Sequence, residues 1–209
     1  MKYKSIFKLC LLTTFLSVAT ISCDDWTEME IHDSQVNGFK EQNPQEYAAY
    51  TQNLRAYKAT KHAVVYARLD NAPEVSTGEK DFLRALPDSI DIVTMRNADR
   101  LSEYDREDMK LVREDYGTKV LYYIDCTAKD KLNTSITSAV EAVRAGTFDG
   151  IALGSEGSAV DVSVLKPLVD ALGQTPCLLV FEGTPSLLPE AQRSLFNYFV
   201  LDISAASDE

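Results

Sequence analysis

The sequence predicts an α/β protein of the (β/α)8 barrel type, incomplete, with about six parallel strands and flanking helices. Three observations point there. Strand-like runs rich in β-branched and aromatic residues begin at intervals of 28, 29, 29, 28 and 22 residues. Stretches with helical apolar spacing lie between them, several followed directly by glycine. No G-x-G-x-x-G or Walker-type loop follows any strand, which removes the main support for a nucleotide-binding sheet. Strand, helix, strand at a constant period implies right-handed crossovers and parallel pairing. An open doubly wound sheet and a barrel both satisfy this; the evenness of the period favours the barrel.

In chain order, the strand-like runs are His62 to Leu69, Ile90 to Arg96, Lys119 to Asp125, Phe148 to Gly154, Pro176 to Glu182 and Tyr198 to Ser204. Helical spacing is expected over Glu79 to Leu86, Ser102 to Tyr116, Thr134 to Ala145, Val160 to Leu172 and Leu187 to Phe196. Gly117, Gly146 and Gly173 each fall where a helix end wants a left-handed residue. Ser102-Glu-Tyr-Asp105 has the spacing of a capping box. Ahead of the first strand, Pro44 to Thr60 reads as one more helix with Tyr47, Tyr50, Leu54 and Tyr57 on one face. That stripe is expected to pack against the N-terminal mouth of the barrel.

The N-terminus has a different character. Lys2, Lys4 and Lys8 precede an apolar run of 13 residues, Leu9 to Ile21, too short to span a bilayer. With Ser22-Cys23 after it, the segment reads as a lipoprotein signal peptide over residues 1–22, with Cys23 the lipidated residue. Residues 23–43, opening with Asp24, Asp25, Glu28 and Glu30, read as an acidic tether, and 44–209 as the partial barrel. The expected location is the outer membrane, lipid-anchored and facing the cell surface.

Removal of residues 1–22 leaves 18 basic and 32 acidic residues, a net charge of −14 that repels phosphates and argues against nucleic acid. The two remaining cysteines beyond Cys23, Cys126 and Cys177, sit at opposite ends of their strands and are expected as buried thiols. The only histidines are His32 and His62, so neither a zinc site nor a Ser-His-Asp set can be assembled, and no metal or cofactor is expected.

Phe148-Asp149-Gly150-Ile151-Ala152-Leu153-Gly154-Ser155-Glu156 covers the fourth strand and the loop after it. It resembles the fourth-strand signature of glycoside hydrolase family 18, D-G-x-D-x-D-x-E, with Asp149, Gly150 and Glu156 in register. The helix ending Leu54-Arg-Ala-Tyr-Lys58, the run Pro87 to Val93 and Tyr122-Tyr-Ile-Asp125 resemble Bacteroidetes lipoproteins related to endo-β-N-acetylglucosaminidases. The resemblance implies a glycan ligand, N-glycan or chitin-like, and company among other outer-membrane glycan-uptake proteins. It also implies that Glu156 is the residual general-acid candidate and Asp149 a structural member of the motif. In the family the aspartate two before the glutamate orients the substrate's N-acetyl group as nucleophile, an exception to the two-carboxylate scheme.

Here the two inner aspartate positions of the signature hold Ala152 and Gly154. The resemblance therefore implies a catalytically impaired relative that binds glycans. An active endoglycosidase using Glu156, or a remnant without function, stands as the alternative. Tryptophans expected after the first two strands are replaced by Leu69-Asp-Asn-Ala72 and Met95-Arg-Asn97, and the single tryptophan is Trp26. Sugar contacts would then be polar. Arg68, Asp70, Arg96, Asn97, Asp125, Glu182 and Asp202 lie near strand C-terminal ends, where barrel sites form. Length adds a further expectation. Eight units of this period starting at His62 would reach roughly residue 285, as a barrel of about 250 residues requires, so six strands leave the first and last as edges.

Overall fold

The computed structural model describes residues 38–71 and 78–201. The signal segment, Cys23, Trp26, His32 and Asp202 lie outside the described residues. The described chain divides between Tyr47 and Ala48. In the first unit, α1 (Phe39–Gln42) sets the Phe39 ring edge-on to Tyr47, and Lys40 stands 5.2 Å from the Tyr47 ring centre. The helix α2 (Pro44–Lys58) straddles the division.

The second unit holds six strands: β1 (Tyr66–Leu69), β2 (Ile92–Met95), β3 (Lys119–Asp125), β4 (Gly150–Gly154), β5 (Leu178–Glu182) and β6 (Tyr198–Val200). All pair in parallel and lie in chain order, β1-β2-β3-β4-β5-β6. This order distinguishes the two architectures left open by the sequence. A doubly wound sheet reverses direction after its first crossovers, whereas here every crossover advances by one strand the same way, as in a barrel. Three helices fill the crossovers: α3 (Glu103–Glu114), α4 (Leu132–Arg144) and α5 (Val162–Leu172). Ser102 and Asp105 form the full capping box of α3. Gly117, Gly146 and Gly173 all have positive φ.

Two expected helices are not α-helical. Glu79 to Leu86 forms two 3-10 turns, Glu79–Asp81 and Leu83–Ala85, because extended Phe82 separates them and Pro87 stops the run. Asp108 of α3 accepts from the Arg84 backbone and side chain, so tertiary contacts replace helical ones. Leu187 to Phe196 is likewise split by Pro189, with Leu188 extended before it.

Side chains alternate along the strands and build two layers. Val120, Tyr122 and Ile124 of β3 with Ile151 and Leu153 of β4 face the helices, in a cluster that includes Ile136, Val140 and Leu165. Leu121, Tyr123, Ala152, Val180 and Ile92 form the opposite, inner cluster. The sheet is curled around that inner face. Three strands separate β1 from β5, about 19 Å in a flat sheet, yet the Tyr66 hydroxyl donates to Glu182 at 2.6 Å. Along the ladder Arg68 is level with Thr94, Leu121, Gly150 and Leu178, but it reaches Glu182, four residues further up β5. Strands so related are tilted and sheared as barrel closure demands.

The strand N-terminal ends share one device. Asp91 precedes β2, and its backbone N–H donates to Val65 while its carboxylate accepts from the Val65 N–H at 2.7 Å. Asp149 does the same to Val120, before β4, and Asn197 to Leu179, before β6. Each clamp closes the backbone N–H and C=O of one residue and pins the neighbouring strand's register. Asp149 also pairs with Arg113 at 2.8 Å and Lys119 at 3.4 Å. On the same side, Lys58 donates to the carbonyls of Asp88 and Ile90 and to Thr118, docking α2 at the starts of β2 and β3. The tyrosine stripe shares in this docking without being buried: Tyr50 and Tyr57 are about half exposed, at 47% and 54%, while the Tyr50 hydroxyl donates to the Asp88 carboxylate at 2.6 Å and the Tyr57 ring lies 4.7 Å from that of His62.

Two predictions follow from the clamps. Asp149→Ala removes a charge-assisted cap and is expected to cost ~2–3 kcal/mol in urea unfolding. Asp149→Asn should cost clearly less, because Asn197 performs the same task with an amide; equal losses would contradict the clamp. The second concerns His62, whose two ring nitrogens face acceptors, Asp91 at 2.9 Å and the Thr60 carbonyl at 2.8 Å. The hydrogen bond to Asp91, and then that to Thr60, raise its pKa above the ordinary 6.5. A group raised in the folded state stabilises fully below its unfolded pKa and loses that effect as pH climbs through its folded value. The stability difference between the wild type and His62→Ala should therefore be largest below pH of about 6.5 and shrink at higher pH, measured by urea unfolding across pH.

Candidate functional site

The inner-facing residues at the strand C-terminal ends converge on one cavity of about 430 Å³. Arg68 comes from β1, Arg96 from just past β2, Tyr123 from β3, Gly154 from β4 and Glu182 from β5, with Glu156, Gly157, Gly183, Thr184 and Leu187 completing the rim. A larger hollow of about 520 Å³ lies beside α3, lined by Arg106, Lys110, Arg113 and Lys119 with Asp149. Its charged residues include the structural Asp149 pairs at the strand N-terminal ends, the face of a barrel that serves stability.

Glu182 is the centre of the upper cavity. Its side chain is only 5% exposed, and Oε1 accepts from the Tyr66 hydroxyl, which also bonds Thr94. Its Oε2 lies 3.5 Å from Arg68 Nη1 and 3.8 Å from Arg96 Nη1. Those distances give ion pairing without hydrogen bonding, and Oε2 accepts no hydrogen bond from any described residue. Burial, reinforced by Glu182, pushes the Tyr66 hydroxyl far above its usual range, so it stays a neutral donor. The Arg96 guanidinium lies 4.0 Å over the Tyr123 ring. Burial also pushes the Tyr123 hydroxyl up to about 12, against the opposing pull of Arg96.

The signature positions on β4 are refilled. Ala152 is fully buried among Leu121, Tyr123 and Val180, where a carboxylate would be desolvated without a partner. A Cβ built at Gly154 falls on the Tyr123 hydroxyl and within 2.6 Å of two ring carbons. Tyr123 thus occupies the space an aspartate side chain would need. Glu156 is carried out of the strand by a turn in which Ser158 N–H donates to the Ser155 carbonyl. Glu156 and Gly157 both have positive φ, 45° and 79°, and Glu156 is exposed at the rim. A left-handed glutamate costs roughly 1 kcal/mol.

The structure brings Arg68, Arg96, Glu156 and Glu182 together. It sends the other expected residues elsewhere. Asp125 is turned onto its own loop, accepting from the backbone and hydroxyl of Thr127. Asn97 binds the Asn71 carbonyl and Asp70, and its backbone donates to the Asn71 side chain, tying together the loops after β1 and β2. Asp149 lies at the other end of β4, in its clamp. Tyr66, Thr94 and Tyr123 belong to the site but were not singled out by sequence. The signal that finds them is alternation: each stands two residues before Arg68, Arg96 or Asp125 and shares its face. Among the described residues no three His, Cys, Asp or Glu side chains are placed to hold a metal ion.

The Gly154–Tyr123 packing gives a test. Gly154→Ala should destabilise by ~1–3 kcal/mol through overpacking, and most of that loss should vanish in a Tyr123→Ala background. A double-mutant cycle by urea unfolding measures the coupling; purely additive losses would show that the ring does not fill that position.

Three comparisons bear on the family. No curated protein sequence matches the chain. Among solved structures, BT1044 superposes with a TM-score of 0.63 at 17% identity, over 81% of this chain and 65% of that one. The apo endo-β-N-acetylglucosaminidase from Cordyceps militaris gives 0.55 at 15% identity, over 77% and 64%. This chain therefore spans slightly less than two thirds of either, and the likeness at such identities is one of fold. The model of glycoside hydrolase family 18, BT1044-like, matches residues 27–145, more than half the sequence and the part that carries β1 to β3. With the strand order and the β4 signature already in place, that match settles the family: the chain belongs to glycoside hydrolase family 18, in its BT1044-like group.

Proposed function

We propose that this chain is a non-hydrolytic member of its family that binds N-acetylglucosamine-containing glycans at the C-terminal mouth of the barrel. The observation that carries the reading is the refilled β4 signature, with Ala152 inside an apolar cluster and Tyr123 in the place of a side chain at Gly154. The family's route takes its nucleophile from the substrate, so it depends on a carboxylate that orients the acetamido group. Losing that orientation removes an effect worth on the order of several kcal/mol in the barrier. Glu156, exposed on a turn, is left as an acid without that partner.

Binding needs less. A cavity with two guanidiniums and a buried carboxylate offers the polar contacts a sugar requires even without an aromatic platform. The N-terminal segment supports a lipid anchor at Cys23 and an outer-membrane, surface-facing placement. In that setting a glycan-binding lipoprotein would serve alongside other uptake proteins.

Titration calorimetry of the chain against an N-glycan and chitin oligosaccharides, paired with a glycan-release assay on a glycoprotein, tests the reading. Measurable binding with no release is expected. Release that disappears in Glu156→Gln would establish an endoglycosidase instead, and no binding to any of these glycans would remove the binding function. Chain processing is checked separately: mass spectrometry of the protein expressed in a diderm bacterium should show acylated Cys23 as the first residue.

A further inference from the structure

We infer that Arg96, propped on the face of the Tyr123 ring, is a ligand-binding residue of the upper cavity, and that Tyr123 and Gly154 act through it as positioning residues. The inference rests on the glycan-binding reading above and specifies which side chain carries that binding.

The placement follows from strand register. Met95 of β2 is level with Tyr122 of β3, so Arg96, one residue on, stands beside Tyr123. Tyr123 belongs to the inner cluster, and Arg96 lies two residues beyond Thr94, which bonds the inner-facing Tyr66. The two are therefore cross-strand neighbours on one face of the sheet. The guanidinium carbon lies 4.0 Å from the ring centre, well within the roughly 6 Å of a cation–π contact. A second support comes from β5, where Glu182 Oε2 is 3.8 Å from Arg96 Nη1.

Held from two sides, this guanidinium still has its hydrogen bonds to give. Arg55, Arg84, Arg113, Arg144 and Arg193 each donate to a carbonyl or carboxylate of the chain. The Arg96 side chain donates to no acceptor among the described residues: its approach to Glu182 is too long for a hydrogen bond, and its contact with the Tyr123 ring uses no oxygen. It is 32% exposed and lines the cavity. A planar fork already fixed in place loses little freedom when it binds. A guanidinium only donates, so the ligand atom it takes is an acceptor oxygen, and a hydroxyl, carbonyl or ring oxygen of a sugar serves alike.

Gly154 makes the arrangement possible. A Cβ there would meet the Tyr123 hydroxyl and come within 2.6 Å of two ring carbons, so glycine leaves the ring where it supports Arg96. The residue that takes a carboxylate away from β4 is thus the one that admits the platform for the arginine.

Calorimetry and NMR titration of the whole chain with an N-glycan and with triacetylchitotriose test this, using whichever the wild type binds more tightly. Arg96→Gln, at a side chain already a third exposed, should fold normally and weaken binding about tenfold, the loss of one hydrogen bond from a charged group. Tyr123→Leu should weaken it to a similar degree, and Tyr123→Phe, which keeps the ring, should stay within about twofold of the wild type. The effect of Tyr123→Leu should vanish in an Arg96→Gln background, because the tyrosine acts only through the arginine. In the free protein the ring-current shift of the Arg96 Nε–H resonance should survive in Tyr123→Phe and be lost in Tyr123→Leu. Wild-type affinity in the folded Arg96→Gln variant would overturn this inference and leave the glycan-binding reading standing. Equal weakening by Tyr123→Phe and Tyr123→Leu, or losses from Tyr123→Leu and Arg96→Gln that simply add, would overturn the positioning role. Binding of neither sugar by the wild type would overturn both readings.

Discussion

The hydrogen bond from Tyr66 on β1 to Glu182 on β5 constrains the rest of the second unit. A side chain cannot reach across three intervening strands of a flat sheet, so this contact exists only if the sheet curls and shears. Curling in turn decides which residues are buried. Among the described residues the inner cluster is small, five buried residues with Ala152 its smallest, because a curled interior narrows toward its axis. It also forces a carboxylate into a nearly dry position. The Glu182 desolvation cost is offset by one neutral donor, Tyr66, and two flanking guanidiniums, an arrangement that fixes geometry more than it adds stability.

Shear has to be set somewhere, and the clamps at the strand starts set it. Asp91, Asp149 and Asn197 each bond the backbone N–H and C=O of one residue, on the preceding strand or, for Val65, directly before it. A slip of one residue would break both bonds at once and turn inner side chains outward. This gives Asp149 a physical role within the β4 signature that is separate from chemistry. It sits at the foot of the strand, bound to Arg113, Lys119 and Val120, while Glu156 lies beyond the other end. The first and last letters of the motif have thus been kept in different settings, one in a rigid clamp and one on an exposed turn. The clamp keeps its value whether or not a reaction takes place above it.

Much of this architecture could be read from sequence, and the reasons are local. Strand period, the glycine stops at Gly117, Gly146 and Gly173, and the Ser102–Asp105 box depend on a few adjacent residues, and all stand in the structure. The failures came where distant partners decide. Helical spacing over Glu79 to Leu86 was overridden because Asp108 of α3 supplies the Arg84 N–H with an acceptor that a helix would otherwise provide. The Pro44 helix shows a tyrosine stripe, but its docking is polar, through Lys58 and Arg55 to carbonyls some 30 to 60 residues away. Asp70, Asn97 and Asp125 looked equivalent to Arg68 and Glu182 from their places after strands. Only packing separates those that close their own loops from those that reach the centre. Alternation with Arg68 puts Tyr66 on the inner face, but the partner that gives it a role is 116 positions away.

The substitutions at Ala152 and Gly154 are best understood together with Tyr123. A site that had merely lost two carboxylates would leave space and unpaired donors where they had been. What the structure contains instead is a methyl group packed at 0% exposure and an aromatic ring resting on a glycine. The ring is held there by Arg96, and Arg96 is drawn toward Glu182, so the tyrosine, the arginine and the buried glutamate form one packed unit. Restoring an aspartate at 154 would displace the ring, uncover Arg96 and disturb the ion pair at Glu182. The inner face is therefore a packed surface whose polar groups stand on β1, β2 and β5, with an apolar β4 between β3 and β5.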